Sequence, residues 1–256
     1  MKHLDMVAEL LPLVLVLVLA LGLFAAYGVR LVFVGRARDA RLQHEHPTLL
    51  LGRFPMEAFH WAMRLTASGF MRLGVTPDQL TYLSLLTTAV AVPLIATGAF
   101  AWGAFAMLVG SACDALDGIV ARRQGVASDA GEVLDAVADR YADALPLIGL
   151  LFYFHESRFA LAAVVLAWQG SFAVSYVRAK AEAMGVAPKG GLMRRQERLL
   201  YVGIGLLLGP VLPMWNLLPV PRPLTLGVLG FVGLLSNVAA IQLTRQTREL
   251  LIQKGP

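Results

Sequence analysis

Apolar stretches long enough to cross a bilayer recur along almost the whole chain, and this recurrence limits the fold more than any other feature. Leu10 to Val34 carries a single charge, Arg30. Further candidate spans occupy 78–98, 101–123, 129–154, 158–182, 195–215 and 221–244. A spanning helix needs about 20 mostly apolar residues, and hydrocarbon leaves no water to satisfy a bare backbone. The expected fold is therefore all-α, a polytopic membrane bundle of about seven spans. Composition agrees: 57% of the 256 residues are hydrophobic and 15% charged, against about 25% charged in soluble domains.

The flanks of these runs carry topology. Asp5 and Glu9 precede the first run, and Arg30, Arg36, Arg38 and Arg41 end or follow it. A signal peptide would show a basic start and a shorter apolar core, so the run reads as a retained span. With the N-terminus outside, the Arg30–Arg41 cluster, Arg122/Arg123, the Arg178–Arg198 group and Arg245, Arg248 and Lys254 all fall on the cytoplasmic side, as the positive-inside rule requires. The opposite connections, near Gly98–Trp102, His155–Arg158 and Pro210–Pro223, are poor in Lys and Arg. Residues 36–76 are too polar to span. Within them, Met56–Leu73 has helical apolar spacing, which suits a membrane-surface helix with Phe59, Trp61, Met63 and Phe70 among headgroups and Arg64 and Arg72 toward water or lipid phosphate. Two segments are thus expected: 1–55, an extra span and linker, and 56–256, the main membrane domain. The lone cysteine, Cys113, excludes an internal disulfide and a cysteine-rich metal site. No nucleic-acid motif is present.

Against this apolar background stands "CDALDGIVARRQGVASDAGEVLDAVADRYADALP", Cys113 to Pro146. A carboxylate at the centre of a membrane helix costs roughly 3 kcal/mol. Asp114 and Asp117 are three apart and share one helix face; Asp135 and Asp139 are four apart and share one face of the next. Gly125, Ser128 and Gly131 between them suit a helix end, a turn and a restart. Two antiparallel helices can then present four carboxylates to one cavity near the cytoplasmic face. Divalent cations would offset their repulsion: Mg²⁺ and Mn²⁺ favour oxygen ligands shared with substrate phosphates, and a two-metal site clamps a phosphoryl group. Helix-end or salt-bridged aspartates account for two such residues more readily than for four in phase.

Asp114-x2-Asp117-Gly118-x2-Ala121-Arg122-x8-Gly131-x3-Asp135-x3-Asp139 resembles the complete signature of the CDP-alcohol phosphatidyltransferase family. The resemblance implies six spans preceded by a membrane-surface helix, with the first span as an addition, in the inner membrane of a bacterium. It implies that an alcohol hydroxyl attacks a CDP-linked donor, usually CDP-diacylglycerol, and releases CMP. Asp114, Asp117, Asp135 and Asp139 would bind two Mg²⁺ or Mn²⁺ ions, and Asp139 would also be the general base. Gly118, Ala121, Arg122 and Gly131 would contact the donor. Asp78, in Thr76-Pro77-Asp78, stands where the family often has Asn and would contact the donor as well, accepting a hydrogen bond from the cytosine amine. A homodimer is a family expectation. Asp143, one turn beyond Asp139, fits a structural role, paired with Arg140 or a later basic residue.

"SYVRAKAEAMGVAPKGGLMRRQERLL", Ser175 to Leu200, is similar to the segment of bacterial phosphatidylinositol-phosphate synthases and their archaeal counterparts that binds inositol phosphate. Arg178, Lys180, Arg195 and Arg198 take the acceptor-phosphate role by that resemblance, and Arg194 stands where the pattern usually has Glu. A phosphorylated acceptor follows, inositol 1-phosphate first and glycerol 3-phosphate second. A transporter would predict repeated halves, and no repeat is present. A metal-dependent CDP-lipid hydrolase is the nearer rival, distinguished by whether CMP release needs an alcohol.

Overall fold

A computed structural model describes residues 2–36, 53–188, 192–210 and 223–254. Among them lie eight helices: α1 Lys2–Val34, α2 Arg53–Arg72, α3 Pro77–Ala96, α4 Phe100–Gln124, α5 Asp129–Tyr153, α6 Arg158–Ala183, α7 Arg195–Leu208 and α8 Pro223–Lys254. Each expected span has its helix; most ends shift by a few residues, but α1 begins at Lys2 instead of 10, α7 ends at Leu208 instead of 215, and α8 runs past 244 to Lys254. Five helices are long and apolar enough to cross a membrane: Leu10–Val34 of α1, then α3, α4, α6 and α8. The other two depart for stated reasons. The first half of α5 carries Asp129, Glu132, Asp135, Asp139 and Arg140, with Asp143 beyond. Helix α7 ends after 14 residues with Gly209 as its cap; the rest of its expected continuation and the Pro-rich turn fall in 211–222, outside the described residues.

Large apolar side chains line the outside of the helices, among them Leu19, Leu21, Val32, Phe33, Leu86, Phe152, Phe159 and Leu234, all more than half exposed. A soluble protein would bury them; an integral membrane protein turns them to lipid.

Small residues set the packing inside. With lipid tails as apolar as leucine, close backbone approach drives helix association. A Cβ on Gly110 of α4 would run into Thr88 Oγ1 and sit 2.9 Å from the Ser84 carbonyl of α3. One on Gly149 of α5 would sit 2.8 Å from Ile95 Cβ and 3.0 Å from the Val92 carbonyl, also on α3. Helix α3 is thus the post against which α4 and α5 both pack, while α4 and α5 barely touch each other. Helices α6 and α8 form a second pair through Gly170 and Gly233. Helix α7 joins the halves by packing on α4 and α8.

The N-terminal helix is not detached. Tyr27 is fully buried, and its hydroxyl donates to Glu57 Oε2 of α2 at 2.9 Å. Helix α2 differs from its expected burial. Met63 and Phe70, expected among headgroups, pack against Ala67, Leu80, Leu116 and Val120. The Trp61 ring lies 5.8 Å from that of Tyr27. Arg123 Nη1 of α4 donates to the Arg64 carbonyl at 2.9 Å and to Ser68 Oγ at 2.8 Å. Helix α2 is tied to the basic end of α4, and Met63, Phe70 and Trp61 meet protein, while Phe59 and Leu65 stay exposed.

The close contact at Gly149 generates a test. Gly149→Ala places a methyl against the α3 backbone and is expected to cost about 1–3 kcal/mol by overpacking, read as a lower melting temperature of the detergent-solubilised protein. Gly227→Ala, where a Cβ meets nothing within 4 Å, should leave it unchanged or slightly raised.

Candidate active site

The turn between α4 and α5 is built as its residues dictate. Gly125 ends α4 with φ of 70°, a left-handed conformation that glycine adopts without a Cβ penalty. Ser128 then caps α5, its Oγ accepting from Gly131 N at 3.2 Å. Asp129 and Glu132 in the first turn complement the helix dipole. Across from them Thr76 and Gln79 form a reciprocal capping box at the start of α3, with Pro77 in the first turn. Three helix ends therefore meet at one place: the start of α3, the end of α4 and the start of α5.

Because α4 and α5 splay apart on α3, their acidic faces enclose space. Asp114, Asp135 and Asp139 each offer a carboxylate oxygen, and these lie within 4.8 Å of one another. One oxygen, Asp139 Oδ1, is buried without a hydrogen-bond donor aimed at it among the described residues, although Arg195 Nη1 lies 2.8 Å away. Three converging hard oxygen donors with an unsatisfied lone pair suit a divalent metal ion. Asp117 sits differently: Thr81 Oγ1 of α3 donates to its Oδ2 at 2.6 Å, and Gly118 N donates to its Oδ1. Its carboxylate lies outside the triad.

The counter-cation for the triad comes from α7. Arg195 Nη1 approaches Asp114 Oδ2 at 2.7 Å as well as Asp139 Oδ1, and Arg195 Nε donates to Asp143 Oδ1 at 3.1 Å. Arg198, one turn on and 4% exposed, donates from Nη2 to Asp143 Oδ2 at 2.9 Å and to Ser175 Oγ at 2.9 Å. Its Nη1 donates to the Met193 carbonyl at 2.8 Å. Met193 has a φ of 57°, an uncommon conformation for a residue with a side chain.

Two cavities flank the carboxylates. The first, of about 830 Å³, is lined by Asp78, Gly118, Ala121, Arg122 and Gly131, together with Thr81, Asp117 and Asp135. All five residues expected to contact a donor are thus in one place. A Cβ on Gly131 would meet only Ser128 Oγ, at 3.5 Å, so protein packing does not account for its missing side chain. The second, of about 880 Å³, is lined by Arg140, Arg178, Arg194, Arg195 and Arg198 with Asp139, Ser175 and Glu182. Glu132 borders both. Both volumes lie in the range of small-molecule sites.

Arg178, Arg195 and Arg198 share the second cavity as expected. Lys180 does not line it and is exposed near the end of α6. Sequence reasoning missed Thr81, which orients Asp117, and Glu132, which borders both cavities. Glu132 was within reach of it, since it lies three residues before Asp135 and seven before Asp139, on the same helix face.

The model of the family described as CDP-alcohol phosphatidyltransferase matches residues 74–237. A phosphatidylinositol phosphate synthase of Corynebacterium glutamicum is 38% identical over 165 residues, 61% of this chain and 74% of that protein. One of Mycobacteroides abscessus is 36% identical over 158 residues, 60% of this chain and 72% of that protein. The crystal structure of the Mycobacterium tuberculosis phosphatidylinositol phosphate synthase with CDP-DAG bound superposes with a TM-score of 0.64 at 29% identity, covering 72% of this chain and 92% of that one. A second structure of that enzyme, in complex with manganese and citrate, gives a TM-score of 0.64 over 72% of this chain and 88% of that one.

The triad can be tested without turnover. Asp135→Asn should weaken Mn²⁺ binding by more than the about 10–100-fold typical of losing a supporting partner, counted from the free-ion paramagnetic resonance signal. Thr81→Val, which frees only the Asp117 carboxylate outside the triad, should weaken it by less than about tenfold.

Proposed function

The chain belongs to the CDP-alcohol phosphatidyltransferase family, and from that premise we propose that it transfers the phosphatidyl group of CDP-diacylglycerol to a hydroxyl of inositol 1-phosphate. Phospholipid synthesis by a membrane enzyme is the family's work. The acceptor is the proposal, and one observation carries it: an arginine-lined cavity shares Asp139 with the carboxylate cluster, while the other cavity shares Asp135 with it. A neutral acceptor would not need several guanidinium groups, whereas a phosphate monoester is recognised by them. The likeness to phosphatidylinositol phosphate synthases in sequence and in fold supports the same choice.

On this reading the first cavity takes the cytidine diphosphate. Arg122 faces the donor phosphates, Gly118, Ala121 and Gly131 leave room for the nucleotide, and Asp78 meets the cytosine amine. Arg178, Arg195 and Arg198 hold the acceptor phosphate. Two ions, Mg²⁺ or Mn²⁺, would be held by Asp114, Asp135 and Asp139 with Asp117, and would supply Lewis-acid polarisation of the donor phosphoryl oxygens. Asp139 belongs to the cluster and also lines the acceptor cavity. There it takes the proton of the acceptor hydroxyl as that oxygen bonds to the β-phosphorus and the bond to CMP breaks.

The same reading puts the site at the cytoplasmic face of the inner membrane. The Lys254 ammonium reaches the Met184 carbonyl at 3.1 Å, so the basic ends of α6 and α8 meet at one end of the bundle, which supports that orientation. Residues 56–256 form the catalytic domain, and 1–55 an added anchor.

CMP release by the purified protein with CDP-diacylglycerol and Mg²⁺ is the decisive assay, run against inositol 1-phosphate, glycerol 3-phosphate, inositol, glycerol and water. Release with inositol 1-phosphate alone is expected. Preference for glycerol 3-phosphate would replace the acceptor, and release without any alcohol would make the protein a hydrolase. Asp139→Asn should lower kcat about 10²–10⁴-fold, the usual worth of a general base, while CDP-diacylglycerol still binds. Arg178→Ala should raise KM for the acceptor at least about tenfold, the loss of roughly one charge-assisted hydrogen bond, with KM for the donor within a factor of about two.

A further inference from the structure

Arg195 belongs to two sites at once. It lines the arginine cavity. Its guanidinium lies 2.7 Å from Asp114 Oδ2 and 2.8 Å from Asp139 Oδ1, two of the three residues whose oxygens suit a divalent ion. Asp143 anchors it from behind, through Nε at 3.1 Å. A guanidinium cannot be deprotonated in a protein, so it offsets the carboxylate repulsion as a fixed positive charge.

A divalent ion must approach carboxylate oxygens to about 2.0–2.2 Å. It therefore needs the lone pairs and the space that Arg195 Nη1 now faces. Charge works in the same direction. Each divalent ion that enters cancels two of the negative charges that hold the guanidinium, so the cluster's attraction for Arg195 falls, and an oxyanion in the neighbouring cavity can take the cluster's place as its partner. Asp143 is outside the pair that Arg195 would release. Its grip on Nε, and on Arg198 through its other oxygen, keeps the arginine stem at the junction while the fork turns.

We propose that Arg195 is a shared positioning cation: it occupies the carboxylate cluster when metal is absent, is released from Asp114 and Asp139 when metal binds, and then completes the acceptor-phosphate site while Asp143 keeps it in place. The proposal rests on the acceptor reading above and adds a coupling that this reading does not contain. Metal and phosphate bind with positive cooperativity, and linkage makes the effect reciprocal.

Calorimetry on the full chain in detergent tests this without turnover, using inorganic phosphate and Mg²⁺ as probes and no CDP-lipid. Phosphate should bind the wild-type protein at least about fivefold more tightly with Mg²⁺ than with chelator, the lower edge of ordinary coupling energies. In Arg195→Gln the metal's effect on phosphate should shrink to less than about twofold. Arg195→Lys, whose single ammonium cannot span Asp143 and the Asp114–Asp139 pair together, should lose the coupling as well, and it serves if the glutamine variant does not fold. Arg194→Gln is the control. Arg194 lines the same cavity and has no ion pair with the cluster among the described residues, so its loss should weaken phosphate binding and leave the coupling intact. Equal phosphate affinity with and without Mg²⁺ in the wild type would overturn the release. An undiminished Mg²⁺ effect in Arg195→Gln would overturn it too, by assigning the coupling to direct contact between ion and phosphate. No phosphate binding under either condition would overturn the acceptor pocket itself, and the proposal with it.

Discussion

Carboxylates facing one another between membrane helices repel, and the structure depends on how that repulsion is offset. Asp114 and Asp139 converge on one guanidinium nitrogen of Arg195, and Asp143 holds the same side chain through another. That cation comes from the first turn of α7, a helix end whose dipole also favours negative charge. Removing one partner from so buried a network leaves an uncompensated charge, which is costly. The interaction therefore fixes where α7 sits relative to α4 and α5.

The same constraint explains the separation of α4 and α5. Helices with facing aspartates gain nothing by packing tightly on each other. Instead each presses its small residues, Gly110 and Gly149, onto α3. The acidic faces are left lining space, with polar support from Thr81 on one side and the α7 arginines on the other. One cavity opens where α3, α4 and α5 begin or end, the other between α5, α6 and α7. On the proposed reading, each cavity takes one of two ligands that meet at the reacting phosphorus.

Most of the helix boundaries were legible because hydrocarbon enforces length and apolarity, and because Thr76, Gly125 and Ser128 carry cap chemistry that is local. Much of the first cavity's wall was legible too, since Gly118, Ala121, Arg122 and Gly131 belong to one motif folded back on itself across a four-residue turn, with Asp78 added from α3. The wall of the arginine cavity was less so. Lys180 sits among the right neighbours in sequence but faces away, because two residues along a helix turn a side chain by about 200°. Asp143 carried two possible partners, and the fold chose Arg195 and Arg198 over the nearby Arg140. The apolar residues of α2 read as lipid-facing, yet Met63 and Phe70 meet α3 and α4, since periodicity identifies an apolar face without naming what covers it.

By itself, then, the sequence determined an all-helical membrane protein, the phasing of its aspartates and the family whose signature they carry. These follow from periodicity, from the cost of charge in hydrocarbon and from spacing within short segments, all of which are local. Only the tertiary structure decided that Asp117 turns to Thr81 while its three companions converge, and that Arg195, 81 residues along the chain from Asp114, stands between the cluster and the arginine cavity. Those pairings depend on how α7 docks against α4 and α5, and no interaction between residues near in sequence specifies that geometry.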